Sequence, residues 1–197
     1  MKKCANKLSQ IVVTSPIGNI LVEFCTFGLH SVNQDPEIND RNFQPDFRRK
    51  VEILDTSSSL KSNQHALNCV HWLDTYFHNS NALTGVSEQQ LFCTIEQTTD
   101  APFYDKVYVA LLKVPFGKTV SYKELATLAG SPKATRAAGS AMANNPFQLM
   151  VPCHRVLPSP STSGKQRVGN YSSGKKVSVK EWLLVHEGHG LKNGHLV

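Results

Sequence analysis

The sequence predicts an α+β protein made of two domains. A small N-terminal α/β domain with an antiparallel sheet spans residues 1–97, and a mostly helical C-terminal domain with a helix-turn-helix spans 98–197. Three observations predict this. β-rich runs around a Pro/Gly turn cluster near the N-terminus, capped helical patterns cluster after residue 100, and the charge changes sign between the halves. A chain of 197 residues fits one large domain or two small ones, and its 40% hydrophobic content is enough to bury a core.

The first runs are Ile11-Val12-Val13 and Ile20-Leu21-Val22, split by Ser15-Pro16-Ile17-Gly18. Two β-rich segments around such a turn predict a hairpin. Phe27-Gly28-Leu29-His30 begins a third strand. Residues 33–59 are polar and poorly patterned, which predicts a long loop. Leu67, Val70, Leu73 and Phe77 recur at helical spacing and predict one helix. Residues 79–100 are irregular, with a linker expected near 97–101.

The second half is more sharply punctuated. Phe103, Val107, Ala110, Leu111 and Val114 form an amphipathic pattern that Pro115-Phe116-Gly117 stops. Ser121 and Glu124 form a capping box, so a helix starts at 121 and ends at Gly130. Ser131 as N-cap and Pro132 at the first turn predict another helix running to about Asn144. Two short helices joined at a glycine make a helix-turn-helix. The second carries Lys133 and Arg136 beside Ala134, Ala137, Ala138 and Gly139, a small-residue face that permits close approach. Ser178 and Glu181 repeat the capping box, and Val179, Trp182, Leu183 and His186 then share one face before Gly188. Residues 157–167 are a loop by composition.

Charge narrows the function classes. Residues 1–97 hold 8 Lys/Arg against 10 Asp/Glu, and residues 98–197 hold 13 against 5. A basic C-terminal half suits a polyanion partner, although a solvated basic face gives the same count. No apolar run reaches the roughly 20 residues of a membrane helix, and no apolar signal segment follows the charged start. No membrane partner and an intracellular setting are expected. Five cysteines, an odd number, argue for reduced thiols used in chemistry or metal binding.

The chemistry centres on Val151-Pro152-Cys153-His154-Arg155-Val156. A cysteine becomes a thiolate if an imidazole takes its proton, and the imidazole needs an acceptor on its far nitrogen. Glu187 is the candidate acceptor, because it ends a helix where the dipole disfavours a carboxylate. Neighbours in an extended segment point oppositely, so a water or a bend must join Cys153 to His154. Taken alone, such a pair is a weak signal and is more often a buried thiol or a metal ligand.

With Val168-Gly169-Asn170-Tyr171-Ser172 and Lys180-Glu181-Trp182-Leu183-Leu184-Val185-His186-Glu187-Gly188, the string resembles the O6-alkylguanine-DNA alkyltransferase family. Val120-Ser121-Tyr122, the run from Ala129 to Ala137, and Asn144-Asn145-Pro146 extend the resemblance over residues 103–189. The resemblance implies a single-turnover transfer of an alkyl group from O6 of guanine in double-stranded DNA to Cys153, after base flipping. It implies His154 and Glu187 as the activating relay and Asn145 as the brace of the turn before the active-site segment. It also implies Arg136 as the residue filling the flipped base's gap, with Lys133 and Ala134 on the same helix against DNA. Tyr122 would rotate the nucleotide and contact or protonate the guanine, and Tyr171 and Ser172 would form the lid. The bottom-up chemistry agrees. An aryl-ether-like oxygen is displaced by a soft thiolate, hydroxyl donors neutralise the leaving oxygen, and the base must leave the stack.

The resemblance further implies a structural zinc at Cys4, Cys25 and His30, with Cys93 standing where relatives place a histidine. No organic cofactor is expected. A monomer is expected, and placement in the nucleus follows from the substrate. Two rivals remain open. A cysteine-histidine hydrolase would turn over many substrates, and a zinc-containing helix-turn-helix regulator would bind DNA without reacting.

Overall fold

A computed structural model describes residues 4–54, 63–83, 91–95, 101–162 and 164–197. They form an α+β fold that divides into two units. The first draws on Met1–Ile38, Phe43–Ile95 and Pro146–Met150, and the second on Asn39–Asn42, Glu96–Asn145 and Val151–Val197. Each unit takes a short segment from the other half of the chain, which no composition shift announces.

In the first unit, β1 (Ser9–Val13), β2 (Ile20–Cys25) and β3 (Gly28–Gln34) form an antiparallel sheet in sequence order. Alternation buries Ile11, Val13, Ile20, Val22, Phe24 and Val32 on its inner face. Pro146–Met150 extends the edge of β3. Val32 donates to the Pro146 carbonyl at 2.7 Å and accepts from Gln148 N–H at 2.7 Å. Helix α1 (Gln64–His78) packs on β2 and β3 and is capped by Asn63, whose side chain accepts from the amides of His65 and Ala66. The expected stripe is rotated. Ala66, Cys69, Leu73 and Tyr76 are buried, whereas Leu67 is 38% exposed. Those four follow an i, i+3, i+7, i+10 helical face, and Leu67 falls one residue off it.

The loop expected at 33–59 is shorter by the last two residues of β3, and Ile53 bridges to Val13. Its residues 55–59 lie outside the described ones. So do 84–90 and 96–100 of the irregular stretch, including most of the expected linker.

In the second unit, α2 (Phe103–Leu111), α3 (Tyr122–Leu128) and α4 (Thr135–Ala143) pack mutually around Val107, Tyr108, Leu111, Leu125, Ala138 and Ala141. The Ser121–Glu124 capping box is present. Gly130, at φ +78°, ends α3: its amide bonds the Thr127 carbonyl and the Ser131 amide bonds the Ala126 carbonyl. Ser131 also accepts from the Ala134 amide in the turn that follows, and its side chain does not cap α4. Residues 131–134 form a turn, and α4 starts at Thr135, later than the sequence predicts.

Strand β4 (Val120–Ser121) pairs in parallel with β5 (Val156–Leu157), which sets the start of α3 beside the chain leaving Cys153. Strands β6 (Gln166–Arg167), β7 (Leu191–Lys192) and β8 (His195–Leu196) form a second small sheet in the order β6-β8-β7. Part of the segment expected as loop is thus a strand. Helix α5 (Val177–His186) starts before Ser178, so the second predicted capping box does not form. Asp40 takes its place, accepting from the Ser178 amide at 2.7 Å and the Ser178 hydroxyl at 2.6 Å. Its buried face is Val179, Lys180, Leu183 and Leu184. Trp182 is only half-buried and stacks on His186, with ring centroids 5.3 Å apart.

Candidate active site

Pro152 fixes the entry to a single 3-10 turn, Cys153–Arg155, whose first amide bonds the Val151 carbonyl at 2.8 Å. A 3-10 turn rotates successive side chains by about 120°. Cys153, His154 and Arg155 thus leave the backbone in three directions. This is the bend that the adjacent cysteine and histidine require, and all three residues are buried.

His154 is fully buried, and its Nε2 lies 2.6 Å from Glu187 Oε1. Beside an ionised carboxylate, Nε2 carries the proton and Nδ1 is the nitrogen fitted to accept one. Arg155 grips the same carboxylate. Its Nε donates to Oε2 at 2.8 Å and to Oε1 at 3.1 Å, and Nη2 donates to Oε1 at 3.0 Å. Nη1 donates to the Val114 carbonyl at 2.7 Å, and the Gly117 amide donates to Glu187 Oε2 at 3.1 Å. Burial alone would raise the Glu187 carboxyl, but His154 and Arg155 outweigh it and hold the group well below the usual carboxylate range. Burial also lowers His154, against the opposing pull of Glu187. The ring is therefore neutral near pH 7 and able to take a proton.

Burial pushes the Cys153 thiol up. The Asn145 side chain, the Tyr171 hydroxyl and the Lys180 charge each favour the thiolate and offset part of that penalty. Asn145 also donates from Nδ2 to the Val151 carbonyl at 2.8 Å, closing the base of the 146–150 excursion. Tyr171 is buried, and its hydroxyl is kept protonated first by burial and then by Cys153. Burial, and then Cys153, raise the Tyr122 hydroxyl too, and its ring lies 3.9 Å from where a β-carbon of Gly139 would sit. Lys180 is 1% exposed and donates to the Val156 carbonyl at 2.8 Å and to the Asn170 carbonyl at 3.5 Å. It ties the strand after Cys153 to the segment before Tyr171.

The turn at Ser172–Gly174 places two non-glycine residues in the left-handed region, Ser172 at φ +46° and Ser173 at φ +57°. Such conformations cost about 1–3 kcal/mol each and cluster at ligand clamps. Ser172 is half-buried. On the helix-turn-helix, Lys133 and Arg136 are exposed and Ala134 is half-buried; Lys133 and Ala134 lie in the turn before α4, and Arg136 in its first turn.

Comparison with known proteins decides the family. The profile of the 6-O-methylguanine DNA methyltransferase DNA-binding domain matches residues 102–189. The human methylated-DNA–protein-cysteine methyltransferase is 38% identical over 94% of this chain and 83% of its own length. The chain belongs to the methylated-DNA–protein-cysteine methyltransferase family. Among solved structures, the Mycobacterium tuberculosis O6-methylguanine methyltransferase superposes with a TM-score of 0.62 at 28% identity, covering 92% of this chain and 93% of that one. The Mycobacterium tuberculosis OGT in complex with DNA superposes with a TM-score of 0.60 at 28% identity, over 89% and 90%.

A second cluster lies in the first unit. The ligand atoms of Cys4, Cys25, His30 and Cys93 all fall within 4.8 Å of one another. Cys4 Sγ is 3.8 Å from Cys25 Sγ, which is 3.6 Å from Cys93 Sγ. Zinc–sulfur bonds of about 2.3 Å in a tetrahedron give sulfur–sulfur edges of about 3.8 Å. His30 Nε2 is buried with no hydrogen-bond partner among the described residues. The residues present therefore fit a zinc ion. Gly28, at φ +154°, makes the cluster possible: a β-carbon there would come within 2.7 Å of the Leu91 carbonyl and 2.8 Å of the Cys93 amide.

Arg155 and Lys180 carry no expected role, although both stand in the motif strings. Nothing in spacing says that a guanidinium turns back onto Glu187 or that a lysine is buried.

Proposed function

We propose that this protein repairs DNA by direct reversal, moving a methyl or other alkyl group from O6 of guanine onto Cys153. The observation that carries the assignment of the acceptor is the buried Cys153 thiol, placed between Asn145 and Tyr171 and next in the chain to the His154–Glu187–Arg155 network. The named activity of the human relative over 94% of this chain supports the reaction class.

In this reading the thiol proton passes to His154 Nδ1, through a bridging water, while Glu187 and Arg155 hold the ring in place. The thiolate attacks the alkyl carbon. A sulfur–carbon bond forms, the carbon–O6 bond breaks, and its electron pair stays on guanine. Tyr122 gives the departing base a proton and regains one from solvent, His154 releases the thiol proton to solvent, and Ser172 donates a hydrogen bond near O6. Atoms balance as thiol plus O6-alkylguanine to thioether plus guanine. The thioether has no easy reversal, so each molecule reacts once.

Arg136 enters the duplex to hold the gap left by the flipped base, with Lys133 and Ala134 against the backbone. Cys4, Cys25, His30 and Cys93 hold a structural zinc, which ties the N-terminal segment to the sheet. The protein acts as a monomer in the nucleus, where the substrate lies.

The test is intact-protein mass after mixing with a duplex carrying O6-methylguanine. The expected result is a gain of one methyl group on Cys153 that is absent in Cys153→Ala. Bound DNA with no mass gain would leave only the regulator reading, and repeated turnover would favour the hydrolase.

A further inference from the structure

Strands β6, β8 and β7 place Arg167, His195 and Lys192 on one rung, because Arg167 pairs with His195 and Lys192 pairs with His195. Residues paired across strands share a face. The next rung, Gln166, Leu196 and Leu191, points the other way, and its two leucines pack against Leu157, Val168 and Leu184. The basic rung therefore faces outward, with Arg167 and Lys192 exposed. His195 Nδ1 lies 2.8 Å from the Asn193 carbonyl, which orients the ring between them.

Arg167 and Lys192 each stand opposite His195 and not opposite each other, and neither has an ion pair with a described carboxylate. The nearby acid is Glu181, whose Oε1 lies 3.6 Å from where a β-carbon of Gly194 would be, at the turn end of the sheet. Residues 98–197 hold only five acidic residues in all. The apolar rung accounts for the sheet's packing and leaves the basic rung unexplained.

We propose that Arg167, His195 and Lys192 form an accessory strip for the phosphates of the DNA backbone, distinct from the helix-turn-helix contacts. Arg167 and Lys192 stand two strand spacings apart, about 9.6 Å, which lets their long side chains reach separate phosphates. The inference rests on the DNA-repair reading.

The experiment follows the affinity of the full-length protein for an undamaged duplex by fluorescence anisotropy across potassium chloride concentrations. Each neutralised phosphate contributes about 0.9 to the slope of log K against log salt, so the double variant Arg167→Gln/Lys192→Gln should lose about 1.8. Arg167→Lys should keep the wild-type slope, and alkyl uptake from a free O6-alkylguanine base, which has no phosphates, should be unchanged in the double variant. An unchanged slope in the double variant overturns the strip, as does an equal loss in Arg167→Lys. Failure of the wild-type protein to gain a methyl group would instead sink the repair reading, whatever the slope does.

Discussion

Glu187 stands at the C-cap of α5, where exposed carbonyls disfavour a carboxylate. It is held there by Arg155, His154 and the Gly117 amide. Removing one partner of a buried ion pair leaves an unpaired charge and costs about 3–5 kcal/mol. Arg155→Ala should lose stability on that scale in urea unfolding. The sign with pH follows from the lowered Glu187 carboxyl: its stabilisation is present above the unfolded carboxyl's range and is lost as pH falls toward the folded value. Glu187→Gln should flatten that acid limb. Lys180 shifts the other way, lowered by burial from 10.5 to about 8. Between those values the unfolded chain binds more protons at this site, so the Lys180 contribution to stability should rise with pH from about 8 to about 10.5, opposing the raised Cys153 thiol. Denaturation across that window should therefore show the stability of the wild type rising relative to that of Lys180→Met. A constant difference between the two would mean that Lys180 is not desolvated as its burial implies.

Among the elements, α5 matters most to the site, because it carries Lys180 and ends at Glu187. It lacks a cap from its own residues; Asp40, from the other half of the chain, accepts from Ser178. Asp40 also donates its amide to the Lys175 carbonyl at 2.9 Å, so it holds the end of the Ser172–Gly174 turn. Loss of such a cap costs about 1 kcal/mol. Asp40→Ala should lower Tm by about 2–4 °C. Calorimetry would measure it, and an unchanged Tm would show that solvent caps the helix as well. The later start of α4 belongs to this scale too. Local rules offered Ser131 as a cap for the second helix, but residues 131–134 close a turn of their own, and α4 begins after it with Ala134 at the N-cap.

For the whole molecule, the proposed zinc draws together residues from the N-terminal segment, the β2–β3 turn and the chain near Cys93. Metal binding of this kind is folding free energy. Elemental analysis should find one zinc per chain, and a strong chelator should lower Tm. Cys93→Ala should lose the zinc and leave the Cys153 network intact. A metal-free protein of unchanged Tm would reduce the four residues to chance neighbours. The charge asymmetry is also a whole-molecule property, and it points DNA toward the C-terminal half.

The α+β class, the hairpin and the helix pair joined at Gly130 were legible in the string, because periodicity and turn chemistry are local. Cys153, His154, Glu187 and Asn145, and the proposed zinc ligands Cys4, Cys25, His30 and Cys93, were named as candidates only through the resemblance of ordered motifs to a family. The tertiary structure decided what depends on separated residues meeting: the Arg155 grip on Glu187, the burial of Lys180, and the Asp40 cap. It also decided the return of Pro146–Met150 to β3 and the rung of Arg167, His195 and Lys192. A charged residue looks the same in a string whether it meets water, a carbonyl or a carboxylate. Only packing, which sets the distance and removes the water, chooses among them.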